Sequence, residues 1–365
     1  MERHFERVIS ADSHVLEPTD LWWKAIGPRF GERTPRIIDE HLGRKGRFFY
    51  TGVQLLKIDQ TEAEMEKMGD LVDAGRDPSK RVQFQKEAGV EAEVLNPTLM
   101  MLTMQGTDRE VVRAAAQAYN DWLAEFCSHS PGTLLGIGAV PMDDVAWGLK
   151  ELDRVVKKGL RGAMINVVPP EGCPPYRDRV YDHFWAAAQE MGVPVTLHSI
   201  TGRVPDPLHF HTREEIGRAA STWLDLFTEL AGVLADDFIF GQILDRFPRL
   251  KLICAEWEIS WIPAYMFRLD QIQGALAHRI PLPKLEMTAS DYVKKRMWHG
   301  MIDDPLGRDA VQHIGADGVM WGSDFPHIRS IGLEAHETLS EMLDGLTAEE
   351  QEKIVGGNVA TVHGL

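Results

Sequence analysis

The chain has 365 residues, 44% apolar and 26% charged, an ordinary globular composition that excludes a disordered or fibrous protein. Its 55 acidic and 39 basic residues give a formal charge of −16, and no Lys/Arg run forms a basic stripe, so nucleic-acid binding by phosphate neutralisation is not expected. Three scattered cysteines, Cys127, Cys173 and Cys254, are too few for a disulfide framework or a four-thiolate zinc site. The start "MERHFERVISAD" lacks the apolar region of a signal peptide, and no stretch approaches about 18 consecutive apolar residues, so a soluble cytoplasmic protein without a membrane partner is expected.

In chain order the strand candidates are "RVISAD" (7–12), "AEVLNP" (92–97), "LLGIGAVP" (134–141), "RGAMINVV" (161–168), "VPVTLHS" (193–199), "LKLICAE" (250–256), "RMWHGM" (296–301) and "GVMWGSD" (318–324). Helical patterns fall between them at 108–129, 143–159 and 181–192. From Glu214 onward, Ile216, Ala219, Trp223, Phe227, Leu230 and Leu234 mark one helical face. Near the C-terminus Thr347 and Glu350 form a capping-box pattern, with Gly356 and Gly357 as the expected stop. Two stretches fit the alternation poorly, 17–85 and 200–213, and long connections of this kind are more often lids or insertions than filler.

Eight strands alternating with helices predict an α/β fold, a (β/α)8 barrel formed by a single domain over 1–365, with 17–85 as an N-terminal insertion or lid after the first strand. No G-x-G-x-x-G follows the first strand and no phosphate loop occurs, which removes the main support for a dinucleotide or P-loop protein. In such a barrel the carboxyl ends of all strands share one rim. That rim would hold Asp12 and His14, His198, Glu256, His299, and Asp324 with His327. Asp12 and His14 are two residues apart, so on an extended segment they point the same way. Each residue alone has a plain structural reading: a core histidine for His198, a turn or cap for Asp324, a salt bridge to an arginine for Glu256. Together, imidazoles and carboxylates without thiolates suit a bound Zn2+, or Mn2+ or Fe2+, in an open site.

The segments "ISADSHVLEP", "VPVTLHS", "AEWEISWIPAYMFRLD" and "MWGSDFPH", in this order, resemble the amidohydrolase superfamily, in particular the amidohydrolase-related branch with aminocarboxymuconate semialdehyde decarboxylase and γ-resorcylate decarboxylase. "AYNDWLAEFCSHSPGTLLGIGAVP" and "IVGGNVATVHG" extend the resemblance over nearly the whole chain. It implies a distorted TIM-like barrel, commonly dimeric or a higher homo-oligomer, with one divalent ion, most often zinc. The implied ligands are Asp12, His14, His198 and Asp324. The chain departs from its relatives after strand 6, where Glu256 stands in place of a histidine.

The expected activity is non-oxidative decarboxylation of a small aromatic or unsaturated acid, with Asp324 and Glu256 as the acid–base groups. Alternatives are hydrolysis of an amide, ester, lactone or C–C bond, or an inactive barrel that binds a small molecule. Glu258 would replace Glu256 if the strand register moved by two. Substrate contacts are expected from Arg47 and Phe48 in "GRFFYTG", with Phe49 and Tyr50 beside them, and from His299 and His327. Met100, Met101 and Met104 would line an apolar pocket, and His209 and His211 would make a lid contact.

Overall fold

The computed structural model describes residues 4–41, 44–51, 55–57, 71–202, 224, 227–327 and 330–365. All eight expected strands form. After β1 (Ile9–His14) the chain makes a helix, Leu21–Phe30, and then an antiparallel sheet of β2 (Arg36–His41), β3 (Arg44–Tyr50) and β4 (Leu55–Lys57). The remaining strands are β5 (Ala92–Asn96), β6 (Leu134–Ala139), β7 (Gly162–Ile165), β8 (Val195–His198), β9 (Leu252–Ala255), β10 (Met297–Met301) and β11 (Val319–Trp321). These seven and β1 form one parallel sheet in the order β1-β5-β6-β7-β8-β9-β10-β11, with helices between them, a (β/α)8 barrel.

Alternation along each strand divides the side chains between two faces. Val195, Leu197, Leu252, Cys254, Met297, Met301, Val319 and Trp321 join the core that also holds the helix residues Phe184, Trp185, Tyr292 and Val293. Met164, Ile253, Ala255 and Met320 carry the opposite parity and pack in a second cluster, which places them inside the barrel. His198 shares this inward parity, whereas His299 is paired with Cys254 and so faces the helices.

The barrel closes between β11 and β1 through two backbone bonds, Asp324 N–H to Asp12 O (2.8 Å) and His14 N–H to Phe325 O (2.7 Å). Gly322 makes that approach feasible, because a Cβ there would lie 2.5 Å from Asp12 Cβ and 2.9 Å from its nitrogen. On β1 the register slips between Ser10 and Ser13, a bulge that turns the strand end into the mouth.

One expectation changes, the helix stop at Gly356 and Gly357, and two others gain detail. The region 17–85 is not a bare connection but carries helix Leu21–Phe30, the β2–β4 sheet and the start of helix Pro78–Ala88, whose N-cap Asp77 accepts from Ser79 N (2.8 Å) and Lys80 N (3.3 Å). Gly356 and Gly357 do not stop the C-terminal helix: a π-turn, Lys353–Gly357, leads into a further helix, Asn358–His363. Gly356 serves close packing instead, since a Cβ there would come within 3.1 Å of Arg7 O. In the helix expected from Glu214, residues 227–233 are helical, while Ile216, Ala219 and Trp223, like His209 and His211, lie outside the described residues. Among the described residues no helix is long and apolar enough to cross a membrane.

Candidate metal centre

Asp12 and His14 end β1, His198 ends β8, and Asp324 follows β11 by three residues. The structure brings all four together. His14 Nε2 stands 3.4 Å from Asp12 Oδ1 and 3.3 Å from Asp324 Oδ1, and His198 Nε2 is 3.3 Å from Asp12 Oδ1. Potential ligand atoms of Asp12, His14 and His198 lie within 4.8 Å of one another, and so do those of His14, Asp324 and His327. The four expected ligands are all buried.

The outer contacts orient these donors. His14 Nδ1 is 2.8 Å from the Pro97 carbonyl and His198 Nδ1 is 3.1 Å from the Ser199 carbonyl. Each ring can therefore donate through Nδ1 and turns Nε2 inward toward the carboxylates, the nitrogen a metal-ligating imidazole would offer once neutral. Asn96 Nδ2 donates to Asp12 Oδ1 (2.7 Å) and leaves Oδ2 over. Among the described residues Asp12 Oδ2 and His14 Nε2 are buried without a hydrogen-bond partner. A buried polar atom left so costs about 1–3 kcal/mol unless something else satisfies it.

Charge is balanced locally. Burial pushes the Asp12 carboxyl up, but His198 and His14 outweigh it and hold the group well below the usual carboxylate range. Burial pushes His14 down, while the carboxylates of Asp12 and Asp324 raise it well above its ordinary value, and His198 is raised mainly by Asp12 against its own burial. Asp324, pushed up by burial, is lowered to about 2 by His14 and His327. In the ion-free protein the carboxylates thus favour the protonated form of both imidazoles. A dication satisfies the same carboxylates and needs neutral imidazoles, so a divalent metal ion fits this cluster.

Asp324 (φ 53°) and Glu256 (φ 61°) both occupy the left-handed region, which costs a non-glycine residue of order 1–3 kcal/mol and persists where surrounding bonds over-determine it. Glu256 lies behind His198, away from Nε2. Its Oε2 accepts from Ser199 Oγ and stands 3.3 Å from His198 Nδ1, so its neighbours are the imidazole and a hydroxyl. Glu258 accepts from Ile302 N (3.0 Å) and Asp303 N (3.4 Å), joining the loops after β9 and β10. His327 closes the mouth: Nδ1 is 2.8 Å from Asp324 Oδ1, Nε2 is 3.1 Å from Thr98 Oγ1, and the ring stacks on His14 with centroids 3.9 Å apart.

His299 is not at the mouth. Its Nε2 is 2.9 Å from the Val293 carbonyl in helix Ala289–Arg296, and burial lowers its pKa to about 4, so the expected substrate contact is corrected to a neutral core histidine. Arg47 and Phe48 lie on β3. As consecutive strand residues they point to opposite faces, so the two cannot line one wall together. Phe49 packs on Trp22, with centroids 5.6 Å apart.

The sequence reading missed Asn96, Thr98 and Asn166. Asn96 and Asn166 sit at strand ends, and their parity relative to the ligands is the signal that finds them. Asn166 follows β7; since Ile165 pairs with Leu197, the next register step sets it level with His198. Asn166 Nδ2 donates to Met104 O (3.0 Å), while Oδ1 is buried without a partner among the described residues. The residue lines a cavity of about 720 Å³ together with Met104, Gln105, Arg109, Pro170 and Thr201.

Imidazoles and carboxylates converge at the carboxyl ends of a parallel barrel, which defines a (β/α)8 protein whose mouth could hold a metal ion. The amidohydrolase family profile matches residues 13–365, and the chain belongs to that family. It is 28% identical over 261 residues to γ-resorcylate decarboxylase of Polaromonas sp. strain JS666, covering 68% of this chain and 76% of the relative. Over 368 residues it is 21% identical to 2-amino-3-carboxymuconate-6-semialdehyde decarboxylase of Dictyostelium discoideum, covering 98% and 91%. Its fold is similar to that of the crystal structure of dihydroxybenzoic acid decarboxylase from Polaromonas sp. JS666, which holds manganese and the inhibitor 2-nitroresorcinol, with TM-score 0.72, 22% identity and coverage of 99% and 98%.

Proposed function

We propose that this protein is a divalent-metal-dependent decarboxylase that removes CO2, without redox chemistry, from a small aromatic or unsaturated carboxylic acid. The supporting observation is the convergence of Asp12, His14, His198 and Asp324, with Asp12 Oδ2 and His14 Nε2 buried without a hydrogen-bond partner among the described residues, in a chain that is similar to decarboxylases. Those four residues would hold the ion. Two carboxylates and two imidazoles suit Mn2+ as well as Zn2+, and the manganese of the similar structure favours testing both.

When bound, the ion would supply Lewis-acid polarisation of the substrate's carboxylate and neighbouring oxygen. Asp324, 2.8 Å from His327 Nδ1, would take a proton from that imidazole and pass it to carbon as the C–CO2 bond breaks. His327, partly exposed and bonded to Thr98, would return that proton from solvent. Asn166 Oδ1 would accept from a hydroxyl or amino group of the substrate. Glu256 would support His198, and Arg47 or Phe48, but not both, would meet the substrate from the β2–β4 sheet. A cytoplasmic homodimer or higher homo-oligomer completes the reading.

The test is metal content per chain by elemental mass spectrometry on protein purified without chelator, followed by assays of CO2 release from hydroxybenzoic acids with Mn2+ or Zn2+. About one ion per chain and CO2 release are expected. Hydrolysis of an amide, ester or lactone without CO2 release would replace this activity. Failure to take up metal would leave a binding barrel.

A further inference from the structure

The β11–β1 seam carries Asp12, His14 and Asp324, and among the described residues two backbone–backbone bonds cross it. A buried charged network bridges the same gap. Arg81, in helix Pro78–Ala88, is fully buried and forms a fork with Glu93 of β5, Nε to Oε2 at 2.6 Å and Nη2 to Oε1 at 3.0 Å. Its remaining donors reach the backbone on both sides of the seam: Nη1 to His14 O (2.9 Å) and Nη2 to Phe325 O (3.3 Å). The guanidinium also lies 4.6 Å from the centre of the Phe325 ring, on which Phe84 of the same helix stacks. Glu93 accepts from Ser13 Oγ (3.1 Å), and Ser13 Oγ is 2.8 Å from Ser323 Oγ across the seam.

We propose that Arg81, held by Glu93, is a positioning residue for the metal site: it fixes His14 and Phe325, and through them the spacing between the Asp12–His14 pair and Asp324. This rests on the metal reading above. A buried ion pair is a poor device for stability alone, because desolvation offsets most of its attraction, whereas a planar fork that satisfies a carboxylate and two carbonyls defines geometry. Lysine at 81 keeps the charge opposite Glu93 but loses the fork.

The experiment measures Mn2+ affinity by competition with a chromophoric chelator on the full chain, without substrate, for wild type, Arg81→Lys and Leu339→Ala. Leu339 is fully buried in helix Ala335–Met342, outside the seam, and serves as a control for general destabilisation. Thermal midpoints of the metal-free proteins show how much each variant loses. Arg81→Lys is expected to weaken Mn2+ binding about 10- to 100-fold, the range typical of groups that orient metal ligands, and Leu339→Ala by less than about twofold. Unchanged affinity in Arg81→Lys, or equal weakening in both variants, would overturn the proposal. Should Arg81→Lys not fold, Ser323→Ala takes its place, with a smaller weakening expected and an unchanged affinity again overturning it. Wild type that takes up no Mn2+ would sink the metal reading itself, which separates that failure from this one.

Discussion

Glu256 is where residue-level chemistry and position diverge. A carboxylate at a strand end reads as a base, but this one touches the far side of His198 and the Ser199 hydroxyl. A carboxylate behind a ligating imidazole strengthens it as a donor and fixes its plane. Glu256→Gln keeps the size and removes the charge, so metal affinity should fall about 10-fold and kcat with it, while KM changes little. Metal titration and steady-state kinetics on one preparation check this; a lost kcat with unaltered affinity would return Glu256 to the role of direct base. The acids and histidines of the mouth were legible in the sequence because each ends an apolar strand. His299 was misread because residue type alone does not reveal parity: its pairing with Cys254, one position off the parity of His198, sends it outward. Asn166 and Arg81 were illegible for the opposite reason, since their chemistry is ordinary until the register or the seam supplies its partner.

At the level of elements, the eight barrel strands were legible because buried parallel strands are continuous apolar runs bounded by turn residues. The β2–β4 sheet was not, since β2 and β3 mix charge with apolar residues in "RIIDEH" and "RKGRFFY" and gain their regularity only by pairing, Ile38 with Phe48 and Ile37 with Phe49. The seam is equally invisible to periodicity. Gly322 is its most demanding position, and Gly322→Ala would drive a methyl into Asp12, displacing the β1 backbone or the Asp324 turn. Overpacking of this kind typically costs about 1–3 kcal/mol, so the urea midpoint should drop accordingly and metal affinity with it. A variant with an unaltered midpoint would mean that the seam opens without cost, and that the two backbone bonds across it do not determine where Asp12 and Asp324 sit.

Across the whole molecule, stability against acid depends on groups far from the mouth. His299 and His363 are buried, and each has its pKa lowered to about 4 chiefly by that burial, opposed by the Val293 and Arg161 carbonyls they meet. A base with a lowered folded pKa favours the native state fully above its unfolded value near 6.5. As pH falls from there toward about 4, the unfolded chain takes up the proton first and stability is lost, by roughly 1.4 kcal/mol per pH unit for each histidine. The site residues do not mask this in the ion-free protein. The raised His14 and His198 make their contribution in full below about 6.5, and the lowered Asp12 and Asp324 keep theirs until pH falls below roughly 3.9. Urea unfolding of metal-free protein at intervals between pH 6.5 and 4 should therefore show a decline, which the raised Glu17 and Asp237 carboxyls oppose, and His299→Gln should make it shallower. An unchanged slope would show that His299 already holds its proton in the folded chain. That outcome would contradict the burial that lowers its pKa, and not its bond to the Val293 carbonyl, which favours the proton.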